Sequence, residues 1–260
     1  MFRTLVFLLL KVPIIKRLIP SLYRRLNIFK VKYKTIKLGN LFFYLNILNP
    51  VDRQIYMTGR YEEDSYALIK KIIKRHKINY FFDIGACWGY YSLRIASEFN
   101  KINIDAFEPI KSTLPQFTEN LKINNFSDRV KIHNVALSDT TKILRMDTQY
   151  KHNNYQTAGY HVSKDGKFQV NAEKLDNIIK IPNERIAIKI DTENHEFHVL
   201  KGMENILRNN ECFLMIEIDQ KFVNFKEISR YLLDMGYNPM CNFDLNYFFV
   251  KRKYLQQKLS

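Results

Sequence analysis

The sequence predicts an α/β protein, a three-layer αβα sandwich with a mostly parallel sheet covered on both faces. Three observations carry this. Short apolar runs alternate with helix-period stretches through most of the chain. The runs are nearly continuous in apolar residues, as strands buried on both faces must be. Finally, Asp83, Glu108, Asp139, Asp191, Glu193 and Asp219 fall at or just past the ends of such runs, so one rim of the sheet is polar.

The elements follow in order. "IKLGNLFFYLNI" reads as a short hairpin or edge strand. "DSYALIKKIIKRHK" sets Tyr66, Ile69, Ile72 and Ile73 on one helical face and Lys70, Lys71, Lys74 and Arg75 on the other. "INYFFDIG" is a strand, Tyr91 to Phe99 a helix, and "NIDAFEP" a second strand. "STLPQFTENLKIN" is a helix with Ser112 or Thr113 as its cap and Pro115 in its first turn. "VKIHNVALSD" is a third strand. Between Thr140 and Asp176 the rhythm breaks: "ILRMDTQ" and "FQVNAEKLD" read as strands, and the polar "YKHNNYQTAGYHVSKDG" between them as a long loop. Alternation resumes with the strand "IAIKIDTE". The helix "HEFHVLKGMENILR" has Phe197, Leu200, Met203 and Leu207 facing inward. Then come the strand "CFLMIEID", a helix ending at Gly236, and the strand "LNYFFVKR". In such sheets ligands sit beyond the carboxyl ends of the strands, where strand order reverses.

Charge divides the chain. Of 41 Lys and Arg, ten fall in residues 1–37 and four in 251–260, with no acid in either segment. The body between is nearly neutral. A groove tracking nucleic acid would carry positive charge across the folded body, so no nucleic-acid partner is expected. Residues 1–40 form a basic, apolar arm and 41–260 the main domain. The longest uncharged stretch of the arm's opening segment, Thr4 to Leu10, falls far short of the roughly 20 residues of a spanning helix. Pro13 and Pro20 interrupt any long helix. The arm reads either as an interfacial anchor on anionic lipid or as a segment packed on protein. Cys87, Cys212 and Cys241 form no CxxC pair, which suits thiols in a reducing, cytoplasmic setting.

The sharpest motif is "YFFDIGACWGYYS". Gly85 and Gly89 permit a tight turn and close approach of a ligand to the backbone. A dinucleotide site would read GxGxxG and bring a pyrophosphate to the helix start. Here the second glycine of that pattern is missing, and Asp83 would repel a phosphate. A carboxylate suits an ammonium or sulfonium group, and S-adenosylmethionine carries both without a phosphate. Glu108, ending the next strand, is placed to accept two ribose hydroxyls.

"FFDIGACWGYYS", "AFEP", "NVALSD" and "IKIDTENHEFHVLKGMENIL" together resemble the FkbM family of S-adenosylmethionine-dependent methyltransferases, over roughly residues 50 to 220. The resemblance implies a class I, Rossmann-like methyltransferase fold and O-methylation of hydroxyl groups on natural products and glycans. The cofactor contacts expected are Asp83, Gly85, Ala86, Gly89, Tyr90, Glu108, Pro109 and Ala136. Two positions depart from the family pattern: Cys87 replaces an Asn, and Asn194 replaces a Gly. Asn tolerates a left-handed backbone better than most residues, so that turn is expected to survive.

"KIDTENHE" brings Asp191, Glu193 and His195 to the rim as catalytic candidates. His195 has the natural pKa of a general base, with Asp191 as the competitor. The same segment also reads as the cap of the following helix. No metal site is predicted, although a divalent ion on the carboxylates fits the same residues. Glu62, just before the amphipathic helix, is a candidate for the edge of the active site. His152, Asn153, Asn154, Tyr155 and Tyr160 suit sugar recognition. Three functions fit: an O-methyltransferase acting on a glycan or lipid-linked saccharide at the inner membrane face, an RNA or protein methyltransferase using the basic arm, and a non-catalytic nucleoside-binding module. The motifs favour the first.

Overall fold

The computed structural model describes residues 32–148 and 159–255. These fall into two units that divide between Glu63 and Asp64. The N-terminal segment 1–31 and His152, Asn153, Asn154 and Tyr155 lie outside the described residues.

In the first unit, β1 (Tyr33–Leu38) and β2 (Leu41–Asn46) pair antiparallel in register from Tyr33↔Asn46 to Leu38↔Leu41. This is the hairpin reading of "IKLGNLFFYLNI", closed by a two-residue turn in which Gly39 takes φ 59°. Helix α1 (Pro50–Thr58) follows, and its buried Asp52 accepts the backbone N–H of Asn46 at 2.7 Å.

The second unit runs α2 (Glu63–His76), β3 (Tyr80–Ile84), α3 (Tyr90–Glu98), β4 (Asn103–Phe107), α4 (Leu114–Ile123), β5 (Val130–His133), β6 (Ala136–Leu137), β7 (Lys142–Thr148), β8 (Tyr160–Val162), β9 (Phe168–Glu173), α5 (Leu175–Ile178), β10 (Arg185–Ile190), α6 (Glu196–Lys201), α7 (Glu204–Asn209), β11 (Glu211–Glu217), α8 (Phe225–Asp234), β12 (Tyr237–Phe243), β13 (Asn246–Lys251) and α9 (Arg252–Leu255). The main sheet has the order β12-β13-β11-β10-β3-β4-β5. Only β13 runs against its neighbours. This is the mostly parallel, Rossmann-like sheet that the sequence leads one to expect. The middle of β10 and of β11 is buried without a break, so the sheet is covered on both faces. Helix α2 buries the four apolar residues the periodicity selects and exposes its four basic ones.

Four details differ from the sequence reading. The run "VKIHNVALSD" is not one strand. The chain leaves the main sheet after His133, and β6 joins a second sheet of order β6-β9-β7-β8. Asn134 fixes the crossing by donating its side-chain amide to the carbonyls of Glu108 and Pro109 at 2.9 and 3.0 Å. The polar loop contains a strand, β8, which pairs with β7. The helix over "HEFHVLKGMENILR" breaks at Gly202, where a Cβ would lie 1.9 Å from the Ser138 carbonyl oxygen. Asp176 then starts α7 by accepting the N–H groups of Asn205 and Ile206. Finally, "YNPMCNF" forms β12, the edge strand, whose register shifts between Pro239 and Cys241. Pro239 lacks an N–H, which an edge strand tolerates.

Candidate functional site

The order of the main sheet reverses between β3 and β10, so the carboxyl ends of these two strands flank the crevice in which α/β proteins bind ligands. Asp83 lies in β3, and Asp191 follows β10 directly, its N–H bonded to the Ile84 carbonyl at 3.0 Å.

The glycine turn is tied to both neighbouring strands. Gly85 and Ala86 donate their N–H groups to the Phe107 carbonyl at 3.0 and 3.1 Å. Gly85 takes φ 73°, and a Cβ there would lie 1.7 Å from the Asp191 carbonyl oxygen. Gly89 takes φ 85°, and a Cβ there would lie 2.0 Å from Cε2 of Phe117. Both positions therefore need glycine for conformation and for space. Cys87 also lies in the left-handed region, at φ 52°, which costs a non-glycine residue about 1 kcal/mol.

Two buried acids bound the turn. Asp83 is 1% exposed. Its Oδ2 accepts from the N–H and hydroxyl of Ser92 at 3.0 and 2.7 Å, which anchors α3. Its Oδ1 has no hydrogen-bond partner among the described residues. Glu108 is 6% exposed, and its two oxygens accept the N–H groups of Cys87 and Ile110 at 2.9 and 2.8 Å. Burial raises both carboxyls above their ordinary values, Glu108 to about 8.

A third strand end contributes a buried cation. Lys189 of β10 is 5% exposed. Its Nζ stands 3.0 Å from Oδ2 of Asp191 and 3.9 Å from Oδ1 of Asp83. The lone carboxylate that the glycine motif suggests is therefore part of a charge cluster. Burial alone would raise Asp191, but the Lys189 charge and a hydrogen bond from Glu217 hold it below the usual range. Glu217, at the end of β11, is pushed up to about 11 by the charge of Asp191 and then by burial.

The turn from Asp191 to His195 is held by Glu196. Its Oε1 accepts the N–H groups of Thr192 and Asn194 at 3.0 and 3.1 Å and the Thr192 hydroxyl at 3.1 Å. Glu193 and Asn194 take φ 51° and 77°. The left-handed turn survives the replacement of glycine at 194. His195 is buried, with Nε2 3.0 Å from the Ser138 hydroxyl and its ring stacked on His198 at 4.5 Å. Burial, then the charges of His198 and Lys142, lower it to about 4. This environment works against the near-neutral base that the sequence offers. His198 in turn pairs with Asp139 at 2.8 Å.

The other candidates spread along the rim. Ala86 is buried within the turn, and its carbonyl accepts Gly89 N–H at 2.8 Å. Tyr90 is buried; its hydroxyl accepts from Arg94 at 2.7 Å and its ring meets Trp88 edge-on at 5.7 Å. Pro109 is half-buried, and Ala136 is buried in β6. Tyr160, in β8, is hydrogen-bonded to Ser112 and lies within electrostatic reach of Glu108 and Cys87. Glu62 belongs to the first unit and takes φ 48°. Sequence reasoning missed Glu217, although it ends an apolar run one position past the register pair Ile190↔Ile216. The same signal had identified Asp83.

The residues fit a cationic nucleoside. Each Glu108 oxygen keeps a second lone pair for a ribose hydroxyl. Asp191 is held ionised, and Lys189 stands between it and the carboxyl group of Asp83. A sulfonium or ammonium group is attracted to such carboxyl groups, whereas a phosphate would be repelled by them. Among the described residues, no group of three or more His, Cys, Asp or Glu could hold a metal ion.

Three comparisons bear on the chain. The family model of the methyltransferase FkbM domain matches residues 83–239. The hexuronic acid methyltransferase AglP of Haloferax volcanii is 28% identical over 141 residues. That match covers 53% of this chain and 54% of the relative, so about half of the relative's length is spanned. Among solved structures, a methyltransferase FkbM from Methylobacillus flagellatus KT aligns at TM-score 0.48 with 17% identity, covering 79% of this chain and 54% of that one. A precorrin-6y C5,15-methyltransferase from Geobacter metallireducens GS-15 aligns at TM-score 0.44 with 13% identity, covering 74% of this chain and 88% of that one.

Proposed function

The chain belongs to the FkbM methyltransferase family, and on that premise we propose that it transfers a methyl group from S-adenosylmethionine to a hydroxyl of a glycan, a lipid-linked saccharide or a similar small acceptor. The observation that carries this reading is the pairing of buried Asp83 and Glu108 across the Gly85–Gly89 turn, next to Asp191. In it, Asp83 and Glu108 hold the cofactor, the two glycines shape its loop, and Ala86, Tyr90, Pro109 and Ala136 complete that side of the crevice. Tyr160 lies at the acceptor edge.

Bound S-adenosylmethionine supplies an electrophilic methyl group and leaves as a neutral thioether. The protein's share is mainly positioning, since in-line attack needs the acceptor oxygen about 3 Å from the methyl carbon. Asp191, held ionised, accepts a hydrogen bond from the acceptor hydroxyl and receives its proton as the oxygen–carbon bond forms. Glu193 and His195 belong to the same turn, and His195 acts by bracing it against Ser138. The hexuronic acid acceptor of the archaeal relative supports a saccharide as the substrate class.

The basic arm over residues 1–37 would bring the enzyme to anionic lipid at the inner face of the membrane, where lipid-linked saccharides are exposed. No helix among the described residues is long and apolar enough to cross a membrane. The test of the function is mass spectrometry of surface glycans from cells with and without the gene. The reading expects a methyl-mass difference on a saccharide, and methylated RNA or protein with unchanged glycans would overturn it.

A further inference from the structure

Glu217 is a half-buried titratable group at the switch-point rim that the proposed chemistry leaves without a task. It closes β11, and the parallel register Ile190↔Ile216 makes Glu217 and Asp191 the next positions on two adjacent strands. Side chains at paired positions leave the sheet on the same face. The two carboxyl groups are hydrogen-bonded to each other. Ionised carboxylates only accept hydrogen bonds, so this contact requires a proton on one of them.

The surroundings decide which one. Lys189 Nζ is 3.0 Å from Asp191 Oδ2, and that ammonium fixes the negative charge on Asp191. Glu217 is also faced by Lys189 and Glu193 from the β10 side. Across from it on β13 stands Asn246, buried and uncharged. Asp83 on β3 shares Lys189 with Asp191. One ammonium set against Asp83, Asp191 and Glu217 cannot balance three negative charges in a buried site. The charge of Asp191 acts in the same direction, keeping Glu217 protonated far above neutral pH.

We infer that Glu217 is a positioning residue of the methyl-transfer site: as a neutral acid it donates a hydrogen bond to Asp191 and, together with Lys189, fixes the carboxylate that meets the acceptor hydroxyl. The inference rests on the proposed role of Asp191. It gives β11 a part in the chemistry, so three adjacent strand ends, β3, β10 and β11, build one platform. A neutral donor at 217 keeps Asp191 ionised and aimed without adding negative charge beside the cofactor.

The test reads the carboxyl pair directly. The full chain is labelled with ¹³C at glutamate and aspartate carboxyl carbons and titrated, alongside Glu217→Gln and Glu217→Leu. In the parent protein, one glutamate resonance that is lost in both variants should stay in its protonated position from pH 5 to beyond pH 9. Glu217→Gln keeps a donor and should leave the Asp191 titration in place. Glu217→Leu removes the donor and should move that titration up by about one unit or more. It should also shift the acid limb of kcat/KM by the same amount and lower kcat about tenfold or more, while Glu217→Gln keeps the parent pH profile. An ionised Glu217 at pH 7, or an Asp191 titration unmoved in Glu217→Leu, overturns the inference and leaves the methyltransferase reading intact. A protonated Glu217 in a protein that methylates no hydroxyl acceptor overturns the proposed function, and the positioning role with it.

Discussion

The backbone N–H of Cys87 donates to Oε2 of Glu108 at 2.9 Å. This bond joins the glycine turn after β3 to the acid that follows β4, so the two halves of the expected cofactor site are one hydrogen-bonded unit. Turn geometry and the state of Glu108 are therefore coupled.

The first consequence concerns pH. Burial raises Glu108 from 4.5 to about 8, so the folded chain keeps a proton that the unfolded chain has released. The stability linked to Glu108 is fully present below about 4.5 and is lost as pH rises through about 8. Urea midpoints measured from pH 5 to 8.5 should fall for the parent protein and fall less for Glu108→Gln. Cofactor affinity should rise over the same range, because a cationic ligand favours the ionised acid.

Glycine at 89 is required twice. Gly89→Ala places a Cβ 2.0 Å from the Phe117 ring at φ 85°. It should cost about 2–4 kcal/mol, combining backbone strain with overpacking. Gly236→Ala is the control, since φ is also positive there but none of the described residues would lie within 4 Å of its Cβ. It should cost about 1 kcal/mol. Denaturant unfolding of both variants checks the difference.

Lys189→Met should be among the most destabilising single changes at the rim. It leaves the buried Asp83 and the half-buried Asp191 without the shared ammonium. Removing one partner of a buried ion pair costs about 3–5 kcal/mol. Thermal unfolding at pH 7 should show the loss, and acidification should recover part of it by protonating the two acids.

Asp191 and His195 separate by mutation. Asp191→Asn should lower kcat about 100-fold or more, as expected for a residue that touches the reacting hydroxyl. His195→Gln keeps a polar group near Ser138 and should lower kcat less than about tenfold. Steady-state kinetics on one acceptor decides, and a larger loss in the histidine variant would restore it as the base.

The sequence made the sheet legible because its strands are apolar runs and its helices amphipathic. The run Tyr80–Ile84 and the face Tyr66, Ile69, Ile72 and Ile73 need no tertiary context. What it hid depended on tertiary pairing. Strand β8 is three residues in a polar stretch and exists through its ladder with β7. Strand β12 is polar and contains a proline, yet the sheet edge accepts it. The acids Asp83 and Glu108 and the trio from Asp191 to His195 were legible by position. Their protonation was not, because it depends on burial and on Lys189, Glu217, His198 and Lys142, which only folding brings beside them.

Isothermal titration calorimetry of S-adenosylmethionine and S-adenosylhomocysteine into the full chain, with Asp83→Asn and Glu108→Ala beside it, tests the central claim most directly. The account predicts saturable binding of both ligands by the parent protein and affinities about tenfold or more weaker in each variant that remains folded. Absence of binding heat across several temperatures, or parent-like affinity in both folded variants, would contradict it.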